Sequence, residues 1–225
     1  MIRKSGASAE EIVARLTQAI HEHRLLPGMK LKEDEVGEIF GVGRTVARQA
    51  LRAMSHGGLV AIARNRGASV AKPSVKEARE VFEARALLEP QTARAAAVRA
   101  TPQDIAILES HIEQEHAALA SNEAGRALNL SGLFHVEIAR IADQQTIEAF
   151  IRQLVSRSSL VLALYWQRRT ALCDSQAHHA LLDAFRCQDA GEAEDIMKGH
   201  LLDLMSQLNF RDGPGASTSL RDALS

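Results

Sequence analysis

Residues 41–54, Gly41-Val42-Gly43-Arg44-Thr45-Val46-Ala47-Arg48-Gln49-Ala50-Leu51-Arg52-Ala53-Met54, constrain the fold more tightly than any other stretch of the chain. At 3.6 residues per turn, Arg44, Thr45, Arg48, Gln49 and Arg52 share one side of a helix. Val46, Ala47, Ala50, Leu51, Ala53 and Met54 share the other. The apolar side needs a small domain to pack on, and the polar side carries guanidinium groups at i, i+4 and i+8. Planar, permanently charged forks at that repeat suit phosphate oxygens and guanine edges. An ordinary solvated basic face is the competing explanation, and the flanking segments decide between them.

Upstream, Ser8 and Glu11 form a capping box for a helix over Ser8–Arg24, with Ile12, Leu16, Ala19 and Ile20 inward. Leu26-Pro27-Gly28 ends it, Met29-Lys30-Leu31 is extended, and Lys32–Phe40 forms a second helix with Val36, Ile39 and Phe40 inward. Gly41-Val42-Gly43 then turns into the basic helix, which gives a helix-turn-helix pattern. Downstream, Gly57-Gly58 stops that helix, Leu59–Arg64 and Ala68–Ala71 read as strands, and Asn65-Arg66-Gly67 as the turn between them. A hairpin directly behind a recognition helix is a wing, and Arg64 and Arg66 at its tip can reach a minor groove. Charge agrees: residues 1–73 hold 12 Lys and Arg against 7 Asp and Glu, and the remainder holds 15 against 21. The positive field lies where a polyanion would meet the chain.

Leu25–Leu31, Phe40–Leu51, Gly58-Leu59-Val60 and Asn65-Arg66-Gly67-Ala68 together resemble the winged helix of the GntR family of bacterial transcription regulators. The resemblance covers nearly all of residues 8–72 and implies double-stranded operator DNA as partner. It places DNA contacts at Arg44, Thr45, Arg48 and the wing residue Gly67. Arg52 extends the same face on the helical repeat, and Arg66 adds a cation at the wing tip. In better-studied members an arginine of the second helix also touches DNA. Asp34 stands there in this chain, and phosphate repels a carboxylate, so that contact is dropped.

From Val75 the chain reads as helix throughout: Val75–Val98, Thr101–Ala120, Ala124–Ala142, Thr146–Trp166, Ser175–Cys187 and Glu192–Asn209. The fold class is therefore mainly α, an N-terminal winged helix-turn-helix plus a C-terminal antiparallel bundle of six to seven helices. The expected division is a DNA-binding domain over 1–72, a linker over 73–78, a helical effector and dimerisation domain over 79–210, and a disordered tail over 211–225. The bundle's apolar stripes turn His135, His178 and His200 inward and His179 outward, with Ser131 one turn before His135. His178 lies 11 residues before Asp189 and His200 11 after it. If Gln188–Gly191 is a hairpin turn, both imidazoles sit at one height. A single inward histidine is usually a hydrogen-bonded core residue, but matched inward histidines on paired helices suit zinc, nickel or a similar divalent ion.

Leu133-Phe134-His135, His178–Ala184 and Met197–Leu201 resemble the all-helical (FCD) effector domain of the FadR-type branch of the same family. Many such members bind a divalent metal through an aspartate and three histidines, completed by a carboxylate effector. The resemblance assigns metal ligation to His135, His178 and His200, and puts Ser131 where the aspartate stands. A site with no carboxylate of its own keeps the ion's full charge and favours an anionic effector. Arg85 and Glu89 also match family positions and read as a structural pair, with Ser131 and Arg85 as the residues that line the effector pocket.

These features imply a homodimeric repressor of a catabolic operon, released by a small carboxylate, and not an enzyme. The alternative from another class is a metal-dependent hydrolase built on the three-histidine centre. No inward carboxylate is evident as its general base, and a winged helix would have no purpose in it. An architectural DNA binder with core histidines is the third reading, separated from the first by its indifference to chelators and organic acids. The 4% aromatic content disfavours a surface that stacks single-stranded bases. Cys173 and Cys187 fit neither a disulfide framework nor a thiolate metal site. No signal-peptide pattern is present, and the apolar run Leu160–Trp166 is far too short to cross a bilayer. The expected compartment is the cytoplasm, with no membrane partner.

Overall fold

Capping boxes fix where three of the helices begin. Ser8, Ser74 and Thr101 each accept a hydrogen bond from the backbone N–H three residues on, and Glu11, Glu77 and Asp104 reach back to the cap. Each exchange satisfies two donors that a helix start leaves without an internal partner. The computed structural model describes residues 6–64, 66–166, 175–210 and 220–224, and two compact units divide the chain at Lys72 and Pro73.

The front unit runs α1 (Ala9–His21), β1 (Lys30–Leu31), α2 (Glu33–Phe40), α3 (Arg44–His56), β2 (Val60–Ala63) and β3 (Gly67–Val70). Helix α1 stops earlier than the apolar pattern predicts, because His23 takes a left-handed φ of 55° before Leu25 re-enters the core. Gly41 closes α2 at φ 67°, a conformation that costs glycine least. A Cβ on Gly37 would stand 2.8 Å from the Val42 carbonyl oxygen, so this glycine lets the α2–α3 turn close. Ala47, Ala50, Leu51 and Met54 of α3 are buried, in a unit whose other buried residues include Ile12, Leu16 and Ile20 of α1 and Val36 and Phe40 of α2. At about 1.5–3 kcal/mol for each large apolar side chain fully buried, this packing holds α3 in place. Ala53, expected on the apolar side, is exposed.

The sheet has order β1-β3-β2 and is antiparallel, with Leu31 opposite Ala68 and Ala63 opposite Gly67. Asn65, expected in the wing turn, lies outside the described residues.

The C-terminal residues correct an expectation. Leu220–Leu224 form a short helix, α10, rather than disordered chain, and Leu220, Ala223 and Leu224 are buried. Arg15 donates to the Leu224 carbonyl, Arg24 to that of Ala223, and Arg221 pairs with Glu38 at 2.8 Å. The rest of the expected tail, 211–219, lies outside the described residues.

In the rear unit α4 (Val75–Arg99) starts directly after its Ser74 cap, so the linker ends there and not at residue 78. Then come α5 (Pro102–Ala120), α6 (Ala124–Ile141), α7 (Gln145–Tyr165), α8 (Ser175–Arg186) and α9 (Ala190–Ser206). Helix α4 packs on α6, α7, α8 and α9, and α5 packs on α6 and α8. One core joins Phe82, Leu108, Ile112, Phe134, Ile138, Leu181, Phe185 and Met197. No helix among the described residues is long and apolar enough to cross a membrane.

Candidate functional site

Two sites emerge, one in each unit. In the front unit, Arg44, Thr45, Arg48, Gln49 and Arg52 of α3 are all exposed on the side opposite its buried face, as the helical repeat predicts. Arg66 and Gly67 are exposed at the β2–β3 hairpin. The sequence did not disclose how the arginines are held. Glu33, at the start of α2, accepts from Arg48 Nε and Nη2 at 2.8 and 2.7 Å. The Arg48 hydrogen bond holds the Glu33 carboxyl below its ordinary range and raises the guanidinium in turn. Asp34 accepts from Arg44 at 2.7 Å. A carboxylate set aside as merely repelled by phosphate is thus the partner of Arg44. With one edge of Arg48 on Glu33, its Nη1–Nη2 edge remains for a second bidentate contact.

In the rear unit the helices bring three imidazoles together. The ring centroids of His135 and His200 are 5.3 Å apart, His178 and His200 5.1 Å, and His135 and His178 5.6 Å. One nitrogen from each lies within 4.8 Å of the others. All three are buried, and Phe134 stacks on His178 at 4.4 Å. His178 and His200, set at equal arms from Asp189, do meet, because α8 ends at Arg186, α9 starts at Ala190 and the two helices pack together. His179 points out and meets the ring of His116.

The expectation that no carboxylate faces inward is overturned. Glu89 of α4 accepts from His135 Nδ1 at 2.7 Å, and Glu115 of α5 accepts from His178 Nδ1 at 3.1 Å. Glu89 is ionised and an ionised carboxylate only accepts, so its bond places a proton on His135 Nδ1 and turns Nε2 the other way. The Nε2 atoms of His178 and His200 are buried without a hydrogen-bond partner. Burial, and then neighbouring positive charge, pushes His200 well below the usual imidazole range, and burial also lowers His135. Three converging imidazoles, two of them held at Nδ1 by a carboxylate and two with an unpartnered Nε2, are the donor set of a divalent transition-metal site.

Arg85 and Glu89 are the structural pair expected, and Glu89 also joins the histidine cluster through His135. Arg85 grips Glu89 with two donors and Ser158 with a third at 3.0 Å. Burial raises the Glu89 carboxyl, but Arg85 and His135 outweigh it and hold it at about 2. Ser131 is buried on α6 one turn before His135.

A winged helix with an arginine-bearing third helix, followed by a helical unit built round a histidine–carboxylate cluster, defines a class: DNA-binding transcription regulators with a second, all-helical domain. Residues 8–70 match the bacterial regulatory proteins of the gntR family, and residues 80–203 match the FCD domain. The chain belongs to the GntR family and carries an FCD domain; it is a transcription regulator, not an enzyme. It is 29% identical to the Uxu operon transcriptional regulator of Escherichia coli K12, over 91% of this chain and 90% of that one. It is 28% identical to the galactonate operon transcriptional repressor of the same organism, over 82% and 90%. Among solved structures, E. coli McbR/YncC superposes with a TM-score of 0.77 at 20% identity, over 88% of this chain and 95% of that one.

Proposed function

We propose that this chain is a homodimeric repressor of a catabolic operon, of the FadR-type branch, which leaves its operator when a small carboxylate binds in the rear unit. Arg44, Thr45, Arg48 and Arg52 enter the major groove, and Arg66 and Gly67 follow the adjacent backbone or minor groove. Two copies would read half-sites about one helical turn apart. Carboxylate binding favours a dimer geometry that mismatches this spacing, and release follows from the difference in affinity between the two geometries.

The observation that carries this reading is the convergence of His135, His178 and His200, where the Nε2 atoms of His178 and His200 have no protein partner. These residues would hold a divalent ion, zinc or nickel. When bound, it supplies a Lewis acid with open positions for a carboxylate oxygen. Arg85 is fully engaged by Glu89 and Ser158, so its part is to hold the pocket wall, and Ser131 offers a hydroxyl to the effector. The galactonate operon repressor among the relatives supports a sugar-acid effector, since galactonate is itself a monocarboxylate. Nothing favours the hydrolase alternative: both inward carboxylates are bound to histidines, and the family is regulatory.

The test begins with a thermal-shift screen of zinc, nickel and small carboxylates, because a ligand that prefers the folded form raises the melting point. Fluorescence anisotropy on the upstream region of the chain's own gene then follows DNA release. The expected result is release by metal plus carboxylate, lost in His200→Ala while the metal-free protein still binds. DNA affinity indifferent to every metal, chelator and carboxylate overturns the reading.

A further inference from the structure

We infer that Glu115 is the carboxylate that orients and polarises His178 in the histidine cluster, doing from α5 what Ser131 does not do from α6. The inference rests on the metal-site reading above and names a residue that this reading leaves unused.

Glu115 is 2% exposed. Its Oε2 accepts from His178 Nδ1 at 3.1 Å, and its Oε1 is buried without a hydrogen-bond partner. A buried carboxylate with one oxygen left unpartnered is unfavourable and persists where something compensates it. Glu89 is bound by both the Arg85 guanidinium and His135, whereas Glu115 is bound among the described residues by His178 alone, through one oxygen.

Glu115 therefore acts through His178 in two ways. It fixes the Nδ1–H tautomer so that Nε2 faces the ion, and it places a negative charge one imidazole away, which strengthens that nitrogen as a donor. Ser131 is buried on the same face of α6 as His135, one turn before it, and contributes no charge. A carboxylate placed at residue 131 should thus substitute for the charge, though not for the hydrogen bond, of Glu115. Glu115 is a positioning residue on this account, not a ligand.

The test is competition of Ni2+ alone against a chromophoric chelator, on the full chain, for wild type, Glu115→Gln, and Glu115→Gln combined with Ser131→Asp. Glu115→Gln should weaken Ni2+ binding about 10–100-fold, and the added aspartate should recover most of that loss. Circular dichroism checks that the isosteric variant is folded. Should it fold poorly, Ser131→Asp alone is read instead and should tighten Ni2+ binding. No Ni2+ binding by wild type overturns both the metal-site reading and this inference. Wild-type binding matched by Glu115→Gln overturns this inference alone. A loss that Ser131→Asp does not recover overturns the charge role, as does Ser131→Asp alone leaving Ni2+ affinity unchanged or weaker.

Discussion

Replacing Arg48 should abolish sequence reading while leaving the fold untouched. Arg48 is exposed on α3, and its one protein partner among the described residues is Glu33, itself at the surface. Exposed pairs of this kind add little to stability, so Arg48→Ala should melt as wild type does. On DNA the loss should be large. A good bidentate guanidinium–guanine pair discriminates by about 1–3 kcal/mol, or about 5–150-fold in affinity for the operator. Arg48→Lys is the sharper probe, because it keeps the charge and removes the planar fork. Its affinity for a scrambled duplex should stay near wild type while its preference for the operator collapses. Anisotropy titrations of all three proteins on operator and scrambled duplexes, at several salt concentrations, measure both quantities. If Arg48→Lys retained the wild-type ratio of the two affinities, Arg48 would be a phosphate contact and not a base reader. If Arg48→Ala did, it would have no part in reading at all.

Two further outcomes follow from ion pairs. Asp34→Asn frees Arg44 from its 2.7 Å partner and removes a negative charge from the DNA face. Binding to any duplex should tighten several-fold, with a salt slope steeper by about 0.9 for each further phosphate neutralised; unchanged affinity and slope would show that Asp34 lies away from DNA. Glu89, held at about 2 against an ordinary 4.5, stabilises the fold fully above pH 4.5, and this contribution is lost as pH falls towards 2. The gap in melting temperature between wild type and Glu89→Gln, measured in chelator, should therefore narrow steadily below pH 4.5, and a gap constant from pH 6 to pH 3 would contradict it.

Much of this was legible in the sequence because periodicity and capping are local. Arg44, Arg48 and Arg52 at i, i+4 and i+8 could only share a face, and the equal arms about Asp189 could only level His178 with His200 once α8 and α9 paired. The two pocket carboxylates were harder to see. Glu115 falls in step with Leu108 and Ile112, an inward position on α5, but a glutamate on a helix reads as solvated unless its partner is known, and His178 is 63 residues away. Glu89 is legible only as the partner of Arg85 four residues before it, since its second partner, His135, lies on another helix. The clasp of Glu33 on Arg48 spans 15 residues and the α2–α3 turn, a geometry that no window on one helix contains. Helix α10 carried a signal in the spacing of Leu220, Ala223 and Leu224, masked by the Gly- and Ser-rich stretch before it.

The central claim is that the pocket of the rear unit and the DNA face of the front unit report to each other. Linkage makes this measurable: if a bound metal and carboxylate weaken DNA binding by some factor, saturating operator must weaken carboxylate binding by the same factor. Calorimetric titration of the metal-loaded protein with the carboxylate found by thermal shift, with and without saturating operator duplex, tests it directly. The account predicts a carboxylate dissociation constant higher in the presence of operator, by the factor seen for release in anisotropy. Equal dissociation constants with and without operator would contradict it.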